Sequence, residues 1–222
     1  LVLTARSMEH TVRVGYHEGE ASRPGERMGS GFNYAACPPP PGAPAGTVMP
    51  PPYCYNLGAN DLDKVRVPIT TLGASVSLPE HFKLTAEYGK SKIGSASRGL
   101  NRWGGYVALS KRIGAWTPYV YYAKVKSKGE ALSMYEQFNG NAGVVNPAYR
   151  SYQRLMADLL ADYDQSTVAV GTSFWVTTKS VIKAEWSQVN TGVASSFVDA
   201  PVGGESGNRR IDVLSLSYSF TF

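Results

Sequence analysis

Apolar and polar residues alternate along the chain with a period of two, the pattern of β-strands that have one apolar face. The alternation is clearest at the end of the chain, where large apolar side chains fill the even positions from Leu214 to Phe222. The pattern predicts eight strands, most of about 10–13 residues, which is long for a soluble protein. These are Glu9–Glu18, Lys64–Leu78, Phe82–Ser91, Arg102–Arg112, Thr117–Ser127, Gln165–Val176, Ser180–Asn190 and a terminal strand from Arg210 to Phe222.

The second predicted strand changes parity along its length. Val67 and Ile69 are apolar at odd positions, whereas Leu72 and Val76 are apolar at even positions. Because one extra residue shifts every later side chain to the other face, the change predicts a β-bulge near Thr70.

The connections between these strands fall into two length classes. Tight turns at 79–81, 114–116 and 177–179 alternate with longer polar segments at 19–63, 92–101, 128–164 and 191–208. Outer-membrane barrels show this alternation, with short periplasmic turns and long external loops. The fold class that we predict is therefore all-β, an antiparallel transmembrane β-barrel, with a soluble all-β protein as the alternative. Eight strands would place both chain ends on the periplasmic side.

Composition narrows the class further. The chain has 222 residues, a net charge of +5, 18% charged residues and 43% hydrophobic residues, with 4 Trp, 14 Tyr and 7 Phe. So many aromatic side chains argue against a disordered chain. No stretch approaches the roughly 18 consecutive apolar residues of a transmembrane helix. A barrel is still allowed, because alternating strands keep the mean hydropathy near neutral, here −0.21.

The terminal strand resembles the C-terminal strand of bacterial outer-membrane β-barrels, which typically closes on Phe and is read by the barrel-assembly machinery. The resemblance implies localisation in the bacterial outer membrane and gives Phe222 the role of an assembly signal. The chain starts at Leu1 without an initiator Met or a signal-like region. We therefore expect this start to be a processing site or the edge of a fragment.

Further segments, at 103–110, 117–120, 165–171 and 181–186, resemble Gram-negative porins, especially the group that includes the phosphate-selective porins. The resemblance covers residues 100–222 and implies a barrel of about 16 strands and a homotrimer. The chain would then be one partial barrel domain over 1–222, the C-terminal half, with a Pro-rich extracellular loop at 19–63. A complete eight-stranded barrel, whose interior is filled by side chains, is the alternative.

Charged residues on the polar strand faces are the candidate pore lining. They are Arg13, Arg66, Lys83, Glu87, Arg112, Lys124, Lys126, Lys183 and Glu185. Because cations outnumber carboxylates, we predict passive diffusion of small hydrophilic solutes with a modest anion preference. Alternatively, these side chains only solvate a wet wall or form ion pairs. Phosphate selectivity is not carried over, because the arginines are scattered.

A second function remains open, a non-conducting barrel that acts as a surface adhesin or as a scaffold for a partner protein. The Pro-rich loop favours it. In that loop, Cys37 and Cys54 are predicted to form a disulfide, as is usual in envelope proteins. A zinc site is not predicted, since the three His residues lie on other segments.

The third long segment has helical periodicity. Apolar and aromatic side chains recur at Tyr152, Leu155, Met156 and Leu159, which predicts a short helix. Such a helix could constrict a pore, pack on a neighbouring subunit or simply cover the rim.

A basic run, Lys124, Lys126 and Lys128, lies where the fifth predicted strand enters this segment. It could attract anions to the mouth or contact lipopolysaccharide phosphates, although a solvated rim is the simpler interpretation.

No arrangement of Ser, His and Asp suggests a nucleophile, and no Gly-rich phosphate loop precedes a helix. We therefore expect no enzymatic activity and no cofactor. Nucleic acid is not an expected partner, because the positive charges belong to no known binding module.

Overall fold

The computed structural model describes residues 1–21, 31–39, 44, 54–58, 65–92, 101–158, 160, 163–195, 207 and 209–221. These residues form eleven β-strands and two α-helices. The strands are β1 Val2–Arg6, β2 His10–Ala21, β3 Gly31–Ala35, β4 Cys54–Gly58, β5 Val65–Leu78, β6 Phe82–Ser91, β7 Arg102–Lys111, β8 Trp116–Ser127, β9 Asp164–Thr177, β10 Ser180–Thr191 and β11 Arg210–Phe220. The helices are α1 Gly129–Val144 and α2 Arg150–Asp158.

Nine of the strands form one antiparallel sheet in the order β1-β2-β5-β6-β7-β8-β9-β10-β11, and β3 pairs with β4 in a separate hairpin. Each of the eight predicted strands occurs in the large sheet, so its antiparallel, sequential architecture is confirmed. The predicted number of strands is wrong, because β1, β3 and β4 were not recognised. Closure of the sheet into a barrel is not a feature of these nine strands, which run from one edge strand, β1, to another, β11.

The extra edge strand β1 pairs with β2 from Val2↔Gly15 to Arg6↔Thr11. The terminal amino group of Leu1 donates a hydrogen bond of 2.7 Å to the carbonyl oxygen of Tyr16, in the middle of β2. Leu1 therefore lies beside the middle of β2 and not at the end of the sheet where β2 begins. The sequence did not reveal β1, because it is only five residues long and no Gly or Pro marks the turn before β2.

The predicted bulge near Thr70 does not form. The ladder between β2 and β5 runs without interruption from His10↔Val76 to Ala21↔Val65. Val67 and Ile69 therefore share a face with Thr71 rather than with Leu72. Backbone hydrogen bonds fix the register, and this strand simply changes which of its faces is apolar.

Turns at 79–81, 112–115 and 178–179 join strands of the large sheet at one end, which we call the tight-turn end. Gly114 has a φ of +59°, a conformation that glycine adopts without cost. At the first turn, Glu80 and His81 adopt φ values of 59° and 64°, and Lys111 Nζ holds the Glu80 carboxylate at 3.2 Å.

The two helices and the hairpin pack together into a unit that we call the lobe, made of β3, β4, α1 and α2. The predicted helix is confirmed as α2, but Leu155 is 53% exposed rather than part of the packed stripe, and Leu159 lies outside the described residues. The first helix, α1, was missed because glycine and asparagine interrupt its apolar stripe. In the described part of the chain, neither helix has the length and apolar character needed to cross a membrane.

Candidate functional site

The large sheet has two faces of different chemistry. One cross-strand row, Arg13↔Gly73↔Glu87↔Tyr106↔Ala123↔Thr167, runs over six neighbouring strands. All six residues line a single cavity of about 610 Å³. Since side chains from six strands reach the same cavity, the sheet curls around it. We call the face that carries this row the inner face.

The opposite, outer face is a continuous apolar band. One row across it is Val76↔Leu84↔Leu109↔Val120↔Val170↔Trp186↔Leu214. Six of these seven side chains are exposed to the surroundings, from 37% for Leu84 and Leu109 to 83% for Leu214 on the edge strand, and Val76 is half-buried. An apolar surface that crosses seven strands fits contact with lipid rather than water.

The structure places the predicted pore residues on different faces. Arg13, Lys83, Glu87, Lys183 and Glu185 belong to inner-face positions. Arg112 follows the last residue of β7 and, with Lys83, lines a recess of about 1320 Å³ at the tight-turn end.

Lys124 and Lys126 do not share these inner-face positions, although Lys124 is among the residues that line the cavity of about 610 Å³. They pair in register with Gly105 and Trp103 and so share the outer face with Tyr122. The physical reason is that β8 turns its tyrosines Tyr119 and Tyr121 inward, where their hydroxyls are hydrogen bonded. Alternation alone could not assign the faces, because β8 carries tyrosine on both.

Two further predicted residues are only partly described. Arg66 pairs with Glu20 in the ladder, which puts it at an outer-face position, but its side chain lies outside the described residues. Phe222, the predicted assembly signal, also lies outside them, and β11 ends at Phe220.

A hydrogen-bonded cluster occupies the inner face of β8 and β10, and sequence reasoning missed its connections. Tyr119 Oη donates to Glu185 Oε2 at 2.6 Å, and Tyr121 Oη donates to Glu185 Oε1 at 3.1 Å. Lys183 Nζ lies 2.9 Å from Glu185 Oε2 and 5.0 Å from the centre of the Tyr119 ring. The carboxylate is therefore fully engaged, and the charge of Lys183 is balanced within the wall.

Gly171 makes room for this cluster. It lies on β9 between Tyr119 and Glu185, with which it pairs in register. A Cβ atom at this position would overlap the Tyr119 hydroxyl and ring, and would come within 2.8 Å of the carbonyl oxygen of Ala184. Only glycine lets the tyrosine lie across the strand to reach the carboxylate.

Other inner-face cations have no such partner. Among the residues that the structure describes, Arg13, Lys83 and Arg112 take part in no ion pair. Of the predicted pore residues on the inner face, Lys183 is therefore ion-paired, whereas Arg13, Lys83 and Arg112 are not paired with any described residue. Arg6 and Arg102 are two further basic residues at inner-face positions. This distribution could not be derived from the sequence, because pairing depends on cross-strand register.

The lobe is held together by a buried glutamine and a disulfide. Gln153 is fully buried; its Nε2 donates to the carbonyl oxygen of Tyr55, and its Oε1 accepts from the Tyr55 amide, both at 2.9 Å. Asn141 Nδ2 also donates a hydrogen bond of 2.8 Å to Gln153 Oε1. The predicted disulfide between Cys37 and Cys54 is confirmed and is buried.

Burial also raises the pKa of two tyrosine hydroxyls in the lobe. The pKa of Tyr55 is raised, first by burial and then by the nearby Tyr34, and the pKa of Tyr152 is raised by burial. Tyr152 Oη donates to Asn56 Oδ1 at 3.1 Å. Both hydroxyls therefore favour their neutral form within the packed lobe.

The connections that carry the lobe leave the large sheet at the end opposite the tight turns, and hydrogen bonds join the two ends of the connection that contains α1 and α2. The Ser127 amide donates to the carbonyl oxygen of Tyr163 at 2.7 Å, and the Tyr163 amide donates to Ser127 Oγ at 3.0 Å. Ala194, which follows β10, is buried in the core of the lobe beside Phe138. Three connections of the sheet thus meet in one packed unit. Within the described ranges, no group of His, Cys, Asp or Glu is arranged to hold a metal ion.

Comparison with known proteins identifies a similar fold but no family. No family model matches the chain, and no curated protein is similar to it. The solved structures that are similar to it include three described as OmpT of Vibrio cholerae. The form expressed in the outer membrane is 11% identical, with a TM-score of 0.46, and the match covers 98% of this chain and 52% of that one.

The other two are in-vitro folded forms described as an outer membrane protein. A trimer form is 12% identical, with a TM-score of 0.45 and coverage of 98% of this chain and 52% of that one. The third is 10% identical, with a TM-score of 0.47 and coverage of 99% and 53%. The chain thus spans about half the length of these proteins. These neighbours are outer-membrane proteins, and the outer membrane is the location that we predicted for this chain.

Two predictions change at this point. Membership of the phosphate-selective group is not confirmed, since no family model matches the chain. The expectation of no enzymatic activity is corrected as well. The similar chains are outer-membrane proteins named OmpT, and this class does not justify excluding an enzyme. We therefore withdraw the exclusion.

Proposed function

We propose that the chain forms part of an outer-membrane β-barrel that lets small hydrophilic solutes diffuse through it, with a modest preference for anions. The observation that carries the proposal is the contrast between the two faces of the sheet. The outer face is an exposed apolar band, and the inner face holds Arg13, Lys83 and Arg112, none of which forms an ion pair with a described residue.

The inner cations would favour anions through their position in a narrow, water-filled space. Low-dielectric walls focus the field of charges that line such a space, so uncompensated cations raise the local concentration of anions. Lys183 contributes little to this field, because Glu185 balances it at 2.9 Å. The preference should therefore be modest and should depend mainly on cations that form no ion pair with a described residue, among them Arg13, Lys83 and Arg112.

As partners we propose outer-membrane lipid, lipopolysaccharide and the barrel-assembly machinery, which would read the C-terminal strand. A homotrimer is the assembly that we propose.

A second candidate is a surface adhesin or a scaffold for another protein. The lobe favours it, because a packed unit with its own buried core and a disulfide is more than a simple loop requires. Steady single-channel openings would support the channel, whereas an electrically silent protein would support the scaffold.

The test uses the protein purified from outer membranes and inserted into planar bilayers. The inner triple variant, Arg13→Gln with Lys83→Gln and Arg112→Gln, removes three positive charges from the inner face. The outer triple variant, Lys90→Gln with Lys124→Gln and Lys126→Gln, removes three from the outer face and is the matched control. The reversal potential is measured in a salt gradient.

We expect the reversal potential to indicate anion preference in the natural protein and in the outer triple variant. In the inner triple variant it should move toward cation preference, since three positive charges are removed from the inner face while Glu87 remains. A cation-selective natural protein, or equal shifts in both variants, would overturn the assignment of selectivity to these three residues.

A further inference from the structure

The lysines that the structure moves out of the pore form a basic patch on the outer face. Lys90 on β6 pairs in register with Trp103 on β7, which in turn pairs with Lys126 on β8. Lys124 lies in the next row, opposite Gly105. We call Lys90, Lys124 and Lys126, with Trp103 between them, the basic patch. It lies near the end of the sheet opposite the tight turns.

The charges of this patch are mostly not compensated within the protein. Lys126 Nζ lies 3.7 Å from Asp164 Oδ1, a long and exposed ion pair. Lys90 and Lys124 form no ion pair with any residue that the structure describes. In the described ranges, Asp164 is therefore the one carboxylate that forms an ion pair with any of these three cations.

An apolar groove lies directly beside the patch, toward the tight-turn end. It has a volume of about 240 Å³ and is lined by Leu84, Val107, Leu109, Val120, Tyr121, Tyr122 and Val168. Tyr122 and Val107 form the row next to Lys124 and Gly105, which places the groove roughly 7 Å from the lysine along the strand. Since Gly105 has no side chain, nothing from β7 separates the patch from the groove at this point.

Aromatic residues lie where the basic patch meets the apolar groove. The rings of Tyr88 and Trp103 stack on the outer face with their centres 6.2 Å apart, beside Lys90 and Lys124. Tyrosine and tryptophan prefer the level of lipid headgroups, where an apolar ring meets polar surroundings. The patch therefore lies at headgroup level if the apolar band below it lies in hydrocarbon.

We propose that this surface binds a phosphorylated, acylated lipid of the outer leaflet, with its phosphates on the basic patch and an acyl chain in the groove. The inference rests on the proposed membrane location. Charge complementarity selects an anionic headgroup, and the adjacent groove selects a headgroup that carries a chain. Inorganic phosphate would satisfy only the first requirement, because it would leave the groove empty.

The test measures lipid binding to the purified protein in detergent by native mass spectrometry, with diphosphorylated lipid A as the probe. Its fully dephosphorylated form and inorganic phosphate are the comparison ligands. The outer triple variant should bind lipid A at least about tenfold more weakly, since each lysine near a lipid surface contributes to binding. The inner triple variant carries the same loss of charge on the other face and should bind normally.

A second variant tests the groove independently of charge. Val107→Trp would fill the groove and should weaken lipid A binding while leaving the lysines in place. If inorganic phosphate competes with lipid A, the surface is a simple anion site. If the dephosphorylated lipid binds equally well, the contact is only apolar. Either result would overturn the proposal. So would equal weakening in both triple variants.

The same samples separate this proposal from the proposed function. Conduction without selective lipid A binding would remove the lipid site and leave the channel intact. Lipid A binding by an electrically silent protein would remove the channel and keep the lipid site. Circular dichroism of each variant verifies that the strand content is unchanged before either result is read.

Discussion

Replacing Gly171 by alanine should disrupt the inner wall more than any other single added methyl group on this face. The new Cβ atom would overlap the ring and hydroxyl of Tyr119 and press on the Ala184 carbonyl oxygen. Tyr119 would have to swing away, and its 2.6 Å hydrogen bond to Glu185 would break. The wall would lose the donor that Gly171 makes room for.

The magnitude follows from the two effects. A hydrogen bond to a charged group contributes about 1.5–3 kcal/mol, and forcing one extra methyl group into a packed site costs about 1–3 kcal/mol. Since the displaced Tyr119 ring relieves part of the overlap, we expect a loss of about 2–4 kcal/mol in the free energy of unfolding. The assay is urea unfolding of the protein refolded in lipid vesicles, followed by tryptophan fluorescence.

Two variants make this prediction refutable. Gly73→Ala is the matched control, because its Cβ atom would meet the Glu87 side chain at 3.5 Å, an ordinary contact, and should cost under about 1 kcal/mol. In a Tyr119→Ala background, Gly171→Ala should cost clearly less than in the natural protein, since only the Ala184 contact remains. Equal costs of Gly171→Ala and Gly73→Ala, or no coupling to Tyr119, would refute the reasoning.

The lobe yields three further predictions. The double variant Cys37→Ser with Cys54→Ser should destabilise the lobe by about 3 kcal/mol, because the unfolded chain is no longer constrained by the closed loop. The lobe should then be digested faster by protease, and an unchanged digestion rate would contradict this. Gln153→Leu should destabilise the lobe by about 1–3 kcal/mol, because it leaves the Tyr55 backbone groups without partners, and hydrogen exchange of the Tyr55 amide checks it. Burial raises the pKa of Tyr55 and Tyr152, so ionising either hydroxyl costs more in the folded lobe than in the unfolded chain. The stability of the lobe should therefore be retained below pH 10.0, the ordinary tyrosine pKa, and fall as pH rises above it, which pH-dependent proteolysis would detect.

Strands of the large sheet were predictable because most of them repeat one local pattern, the alternation of apolar and polar residues. From β6 to β10, the alternation and the tight turns fixed the bounds of each strand to within a few residues. The rule failed where side chains are apolar on both faces, as around Ile69, and where a strand is short, as at β1. The hairpin of β3 and β4 was hidden by the Pro-rich composition around it, since a disulfide rather than a sequence pattern holds that segment.

The candidate site was less predictable than the fold. Alternation separates two sets of residues on each strand but does not say which set turns inward. Lys124 and Lys126 were assigned to the pore for that reason, although the hydroxyl groups of β8 occupy the inner face. The pairing of Lys183 with Glu185 and the room left by Gly171 depend on three strands at once, and no local pattern encodes them.

The direction of the two edge strands limits what can complete the sheet. In an antiparallel sheet of nine strands, the first and the last run the same way, so β1 and β11 both point toward the tight-turn end. Joining them directly would create a parallel seam, and a second copy of the same nine strands, inserted in the same orientation, would create two. A ring that is antiparallel throughout therefore requires an odd number of additional strands between β11 and β1, whichever polypeptide supplies them.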